Sequence, residues 1–279
     1  NGAIMLRSLV TSVFLMGAAG VASAQIAVQT VSPLVDALGV PELVQIMRDE
    51  GVDYAATLET DMFPGQGGAR WTAMVGDIYT PDRMEALVTS RLAEELPEAD
   101  VATLTDFFTS ERGKRIIDLE LTARRALLDD DVEATSREVW QAQQGDATPR
   151  IEAIEEFVAI NSLIETNVVG ALNSNYAFYV GLADGGAFNG TLTEDQMLAD
   201  VWAQEPDIRT ETTIWIYSYL NMAYQPLSDD DLAAYIAFSG SDAGQALNTA
   251  LFAAFDTLFT QVSRDLGLAA SQFMAGEDI

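Results

Sequence analysis

Asp100-Val101-Ala102-Thr103-Leu104-Thr105-Asp106-Phe107 and, 131 residues further on, Asp231-Leu232-Ala233-Ala234-Tyr235-Ile236-Ala237-Phe238 carry one pattern of acidic, apolar and aromatic positions. The register continues without a gap, setting Ser110 on Ser241, Gly113 on Gly244 and Ile116 on Leu247. Backwards it sets Leu96 on Leu227 and Trp71 on Trp202. Earlier in the chain an offset of 122 sets Leu38 on Ile160, Ile46 on Val168 and Tyr54 on Tyr176. The difference of 9 residues fits an insertion around Asp184-Gly185-Gly186-Ala187-Phe188-Asn189-Gly190. A duplicated unit is the simplest explanation; the alternative is chance similarity between two amphipathic helical stretches.

Each copy reads as helices. Thr80-Pro81 offers an N-cap followed by proline at the first helical position, and Met84, Leu87, Val88 and Leu92 recur at helical spacing. Thr193-x-x-Gln196 is a capping-box pattern, and Ser228-x-x-Asp231 is its acidic relative. Leu247, Leu251, Phe255, Leu258, Phe259, Val262 and Leu266 form an apolar stripe ending at Gly267. No Gly or Pro interrupts residues 114–144, which predicts a long helix with a possible break near Asp129-Asp130-Asp131. Alternating β-branched runs are scarce, so no substantial sheet is expected. At the repeated corner, Ser110 or Ser241 caps a new helix and Gly113 or Gly244 leaves room for a close helix approach. Phe107 or Phe238 anchors the helix before it. These six residues form a structural motif. The expected fold is all-α, with two tandem helical repeats packed as a pseudo-symmetric array or bundle. Residues 25–148 form the first repeat and 149–279 the second, divided at the polar stretch Gly145-Asp146-Ala147-Thr148-Pro149.

The corner resembles that of a bacterial exported family catalogued as domain of unknown function 2059. That family's pattern has acidic residues opening a helix, an aromatic pair, then Ser-Pro-x-Gly-x-Lys. The first copy reads Asp100, Phe107-Phe108 and Ser110-Glu111-Arg112-Gly113-Lys114, with Glu111 where the pattern has Pro. The second reads Phe238-Ser239 and Ser241-Asp242-Ala243-Gly244-Gln245, lacking both Pro and Lys. The resemblance implies an all-helical exported domain in two divergent copies. It supplies no activity and no catalytic residue.

Arg7 precedes an apolar run from Leu9 to Val21, and Ala22-Ser23-Ala24 gives a small-residue cleavage signal. The run is shorter than the roughly 20 residues a membrane span needs. Residues 1–24 are therefore expected to be a signal peptide, with Asn1 to Ile4 as extra residues ahead of Met5. The expected location is periplasmic or secreted, with no membrane span after cleavage.

Composition narrows the chemistry. Among 279 residues there are 43 acidic and 14 basic side chains, no Cys and no His, for a net charge of −29. Thiol catalysis, disulfides, histidine-based zinc sites and the Ser/His/Asp triad are excluded. Phosphate backbones meet repulsion, so nucleic acid is not an expected partner. Ser110 and Lys114 are spaced Ser-x-x-x-Lys rather than Ser-x-x-Lys. Arg112-Gly113-Lys114-Arg115 has Phe108 where a P-loop requires Gly. Neither Asp129-Asp130-Asp131 nor Asp229-Asp230-Asp231 continues as a calcium loop; the second fits a helix N-terminus. No catalytic residue, metal ligand or cofactor is assigned.

Two groups are candidate contact residues for a ligand or partner. Arg112, Lys114 and Arg115, followed by Arg124 and Arg125, cluster in one predicted helical region of an otherwise acidic chain. Their simplest role is pairing with Asp106, Asp118, Glu120 and the Asp129 triplet. Tyr176, Tyr179, Trp215 and Tyr219 belong, with Phe178, Tyr217 and Tyr224, to an aromatic-rich second half. They serve packing, a pocket or a partner surface. The expected function is an exported, non-catalytic helical binding or interaction protein. The alternatives are a periplasmic carrier of a small apolar ligand with a cavity between the halves, or a carboxylate-dependent hydrolase.

Overall fold

The computed structural model describes residues 27–274, all of it helices and short connections, with no strand among the described residues. The expected signal peptide lies outside them. A first helix, α1, covers residues 27–37. There follow α2 (Val40–Met62), α3 (Gly68–Ile78), α4 (Pro81–Glu95), α5 (Glu98–Thr109), α6 (Glu111–Ala126) and α7 (Asp130–Gln143). The second half comprises α8 (Pro149–Ile160), α9 (Leu163–Asp184), α10 (Glu194–Ala203), α11 (Glu205–Tyr224), α12 (Asp229–Ser239) and α13 (Asp242–Met274). No helix among the described residues is long and apolar enough to cross a membrane.

Local chemistry sets the boundaries. Thr193 and Gln196 form a reciprocal capping box at the start of α10. Ser228 accepts the Asp231 N–H at the start of α12, and Thr148 accepts the Ile151 N–H ahead of Pro149. Thr80 behaves otherwise. Its hydroxyl donates to the Asp77 carbonyl at 2.8 Å. The unpaired carbonyls ending α3 therefore take the hydroxyl that the sequence offers to α4. Between Lys114 and Gln144 the expected break falls at Leu127–Asp129. There Asp129 accepts the N–H groups of Asp131 and Val132 and opens α7.

Shifted by 131, α5 starts on the first residue of α12 and α6 on the first residue of α13; shifted by 122, α2 ends on the last residue of α9. The halves differ in two places. The first has a helix start at Thr80-Pro81, whereas the second has one at Gln204, before Pro206, and then runs unbroken through α11. The first also breaks between α6 and α7, whereas α13 continues for 33 residues.

The halves interlock. From the first half, α4 packs on α13; from the second, α11 packs on α6 and α7. One continuous core, including Leu92, Leu104, Ile116, Phe157, Leu232 and Leu247, runs through both. Within the second half α9 and α13 run side by side in the same direction, with Asn161 near Asn248 and Asn173 near Asp256. Their backbones meet at Gly181 and Gly267. A Cβ on either would enter van der Waals space of the Arg264 or Phe178 carbonyl of the facing helix. Toward their N-terminal halves the space between the helices widens into a cavity.

Candidate functional site

On α6 the buried residues Gly113, Ile116, Ile117 and Leu121 define the inward face. Glu120 and Arg124 follow at four-residue intervals from Ile116 and lie on that face. A carboxylate and a guanidinium are thus carried inside by an amphipathic helix. The two are held separately. Arg124 donates from Nε and Nη2 to the two carboxylate oxygens of Glu50 on α2, at 2.9 and 2.8 Å. Its guanidinium also lies 5.4 Å from the centre of the Trp215 ring. Burial works against the Arg124 charge, but the bidentate contact outweighs it and holds the pKa above the ordinary value.

Glu120 sits among tyrosines. The Tyr224 hydroxyl donates to Glu120 Oε1 at 2.7 Å, and the Tyr219 hydroxyl donates to the Glu120 backbone carbonyl at 3.1 Å. Burial pushes the Glu120 carboxyl up to about 7, against the opposing hydrogen bonds of Tyr224 and Tyr235. Tyr219, Tyr224 and Tyr235 are all raised well above the ordinary phenol value, first by burial and then by the Glu120 charge.

These groups line the inner end of a cavity of about 770 Å³, within the range of roughly 300–1,000 Å³ usual for small-molecule sites. Both halves build it: Leu43 and Met47 of α2 and Phe108 of α5 from the first, α9, α11, α12 and α13 from the second. Glu120 keeps partial accessibility because it faces this cavity. Leu247, Leu251, Phe252 and Phe255 give α13 an apolar wall. Val169 and Phe259, also lining residues, are 54% and 39% exposed and mark the opening.

Of the candidates read from the sequence, Tyr219 lines the cavity. Trp215 stacks on it at 5.2 Å and faces a separate depression beside Arg137 and Glu211. Tyr176 and Tyr179 lie elsewhere, packed on a small cluster of Val168, Leu172 and Val201. Arg112 and Arg115 are on the outer face of α6 and tie the halves together. Arg112 pairs with Asp231 at 2.7 Å, and Arg115 donates to the Pro226 carbonyl at 2.9 Å. Lys114 is exposed on the same helix. Arg112 and Arg115 thus bond to the second half, not to Asp106, Asp118 or the Asp129 triplet. Glu120 is turned inward, away from them.

The corner residues have matching geometry in both halves. Ser110 Oγ accepts the Gly113 N–H at 3.1 Å, and Ser241 Oγ accepts the Gly244 N–H at 3.2 Å. Phe107 and Phe238 are half-buried rather than enclosed, because each covers the other. Their rings stack at 3.7 Å, 5° from parallel. Phe238 and Gly244 also line the cavity.

Glu50 and Tyr235 carry no sequence signal as site residues; Arg124 and Tyr224 stand out only as members of the basic and aromatic groups, and Glu120 only as an ion-pair partner of the basic residues. The signal for Glu120 was its place on the face of Gly113, Ile116 and Ile117, where a surface carboxylate does not belong. Glu50 and the two tyrosines come from three distant helices and leave no local pattern.

No curated protein and no solved structure matches the chain. Residues 82–141, from α4 to α7, match the model of the bacterial family described as "Uncharacterized protein conserved in bacteria (DUF2059)".

Proposed function

We propose that the protein is an exported carrier that binds a small, mostly apolar molecule in the cavity between its halves. The observation that carries this reading is the cavity itself: about 770 Å³, walled by apolar side chains of both halves, with a few polar groups converging at its inner end. We also infer that the two halves are copies of one duplicated unit, with the cavity formed where they interlock. The matching corners and helix starts support that inference.

A hydrolase has less support. Glycoside hydrolysis needs two carboxylates facing one bond. Glu120 sits at the inner end among tyrosines, whereas Asp256 accepts a hydrogen bond from Asn173 at 2.9 Å on the outer part of the cavity. A protein-interaction role draws on another feature, the exposed Trp202 and Leu198 of α10.

Gly170 allows a direct test. It lines the cavity, and a Cβ there meets only Asp256 Oδ1 at 3.9 Å. Gly170→Trp should leave the helix intact and fill the opening. The apolar fluorophore N-phenyl-1-naphthylamine should bind the wild-type chain and lose at least tenfold in affinity for Gly170→Trp. Equal binding to both, or none to either, would overturn the carrier reading.

A further inference from the structure

The inner end of the cavity has a charge preference. Arg124 is committed to Glu50 by two hydrogen bonds, so its positive charge is already matched. Glu120 has no such partner. Its charge is influenced by burial and by two tyrosine hydroxyls, and no cation is among the influences. Around it stand Phe157, Tyr219 and Tyr235, all lining the cavity. Tyr224, with no exposed surface, also lines the cavity and donates to the carboxylate. The rings make a continuous wall: Phe157 lies 5.0 Å from Tyr235 and 5.6 Å from Tyr224.

A carboxylate flanked by aromatic faces suits a cation. The ring quadrupole and the charge attract the same head group, and both act more strongly when water is excluded. An anionic head, such as a fatty-acid carboxylate, would face Glu120 and find Arg124 already paired. The −29 charge of the chain draws cations toward the opening.

We propose that the ligand is an amphipathic organic cation, an amine or quaternary ammonium head seated on Glu120 among Phe157, Tyr219 and Tyr235, with its apolar body along α9 and α13. This rests on the carrier reading and adds the chemistry of the head group.

Three probes with one tail and different heads test it: decyltrimethylammonium, decanoate and 1-decanol. Each is titrated calorimetrically into the full chain below its micelle concentration. At pH 8 the ammonium should bind at least tenfold more tightly than either of the others. Its affinity should fall about tenfold from pH 8 to pH 6, as Glu120, whose carboxyl is raised to about 7, takes up its proton. The other titratable or charged groups at this end are Tyr219, Tyr224, Tyr235, Arg124 and Glu50. The tyrosines and Arg124 are held above their ordinary values and keep their charge state over that interval; Glu50 is the ion-pair partner of Arg124. Glu120→Gln should abolish both the preference and the pH dependence. The wild-type pH dependence carries the test if that variant fails to fold.

If decanol binds as tightly as the ammonium, or decanoate more tightly, the head-group assignment is wrong and the carrier reading stands. If the ammonium binds Gly170→Trp as well as wild type, it is held by the acidic surface, and the assignment is again wrong. If none of the three binds wild type, the carrier reading itself falls.

Discussion

Glu120 holds its proton in the folded chain over a pH interval in which the unfolded chain has released it. The native state then binds more protons than the unfolded state, so this group makes stability fall as pH rises from about 4.5 to about 7. A shift from 4.5 to about 7 corresponds to up to about 3 kcal/mol, complete above that interval. Glu120→Gln keeps the shape and an acceptor for Tyr224 but does not ionise. Urea unfolding at pH 5 and pH 8 should show the variant gaining on wild type by roughly that amount at the higher pH. An equal difference at both pH values would show that Glu120 is not held protonated. A second contrast concerns Trp71 and Trp202, which the 131-residue offset superimposes. Trp71 is 2% exposed, packs edge-on to Phe63 and Phe273 and donates its indole N–H to the Ala55 carbonyl. Trp202 is 64% exposed. Trp71→Ala should cost about 3–5 kcal/mol by leaving a cavity, whereas Trp202→Ala should stay within about 0.5 kcal/mol. Denaturant midpoints of the two variants check this, and comparable losses would contradict the burial difference.

Elements show where the two halves diverge. The Ser-x-x-Gly corner brings the first turn of one helix against the last turn of its predecessor. A Cβ on Gly113 or Gly244 would collide with the Phe107 or Phe238 carbonyl, and backbone cannot step aside cheaply. Gly113→Ala and Gly244→Ala should each cost about 1–3 kcal/mol through overpacking. Gly76, inside α3 with nothing near the place of its missing Cβ, should instead gain about 0.5–1 kcal/mol on substitution by Ala. Thermal melts of the three variants test the contrast; a Gly113→Ala variant as stable as wild type would remove the steric reason for the motif. The same corner was legible in the sequence because every part of it is local: a cap, a glycine and an aromatic within seven residues. So was the break before α7, through the capping chemistry of Asp129. The donation of Thr80 to α3 rather than α4 was not, since both roles satisfy the same hydroxyl.

At the scale of the molecule, the interlock decides what the chain can bind. Two independently folded halves would have placed any pocket at a hinge. Here α4 lies on α13, α11 lies on α6 and α7, and the cavity takes walls from both halves of a single core. Sequence periodicity identified the helices and the apolar faces, but not which helix meets which. That choice depends on contacts between residues more than a hundred positions apart, such as the Tyr224 hydroxyl on Glu120. The clearest expression of the interlock is the pair Phe107 and Phe238, equivalent in the two halves and stacked on each other. Such a stack joins the halves directly, so its contribution belongs to the pair rather than to either ring. In a double-mutant cycle of Phe107→Ala, Phe238→Ala and the combined variant, the two losses should not add. The coupling should be about 0.5–1.5 kcal/mol, the usual worth of an aromatic pair beyond its buried area. Ser110→Ala, one turn away, should cost about 1 kcal/mol as a lost cap and add to Phe238→Ala without coupling. If the two Phe losses prove additive, the rings are separate anchors. The corners would then be repeated without being joined, and the two halves would be held together by the shared apolar core and the cross-half ion pairs alone.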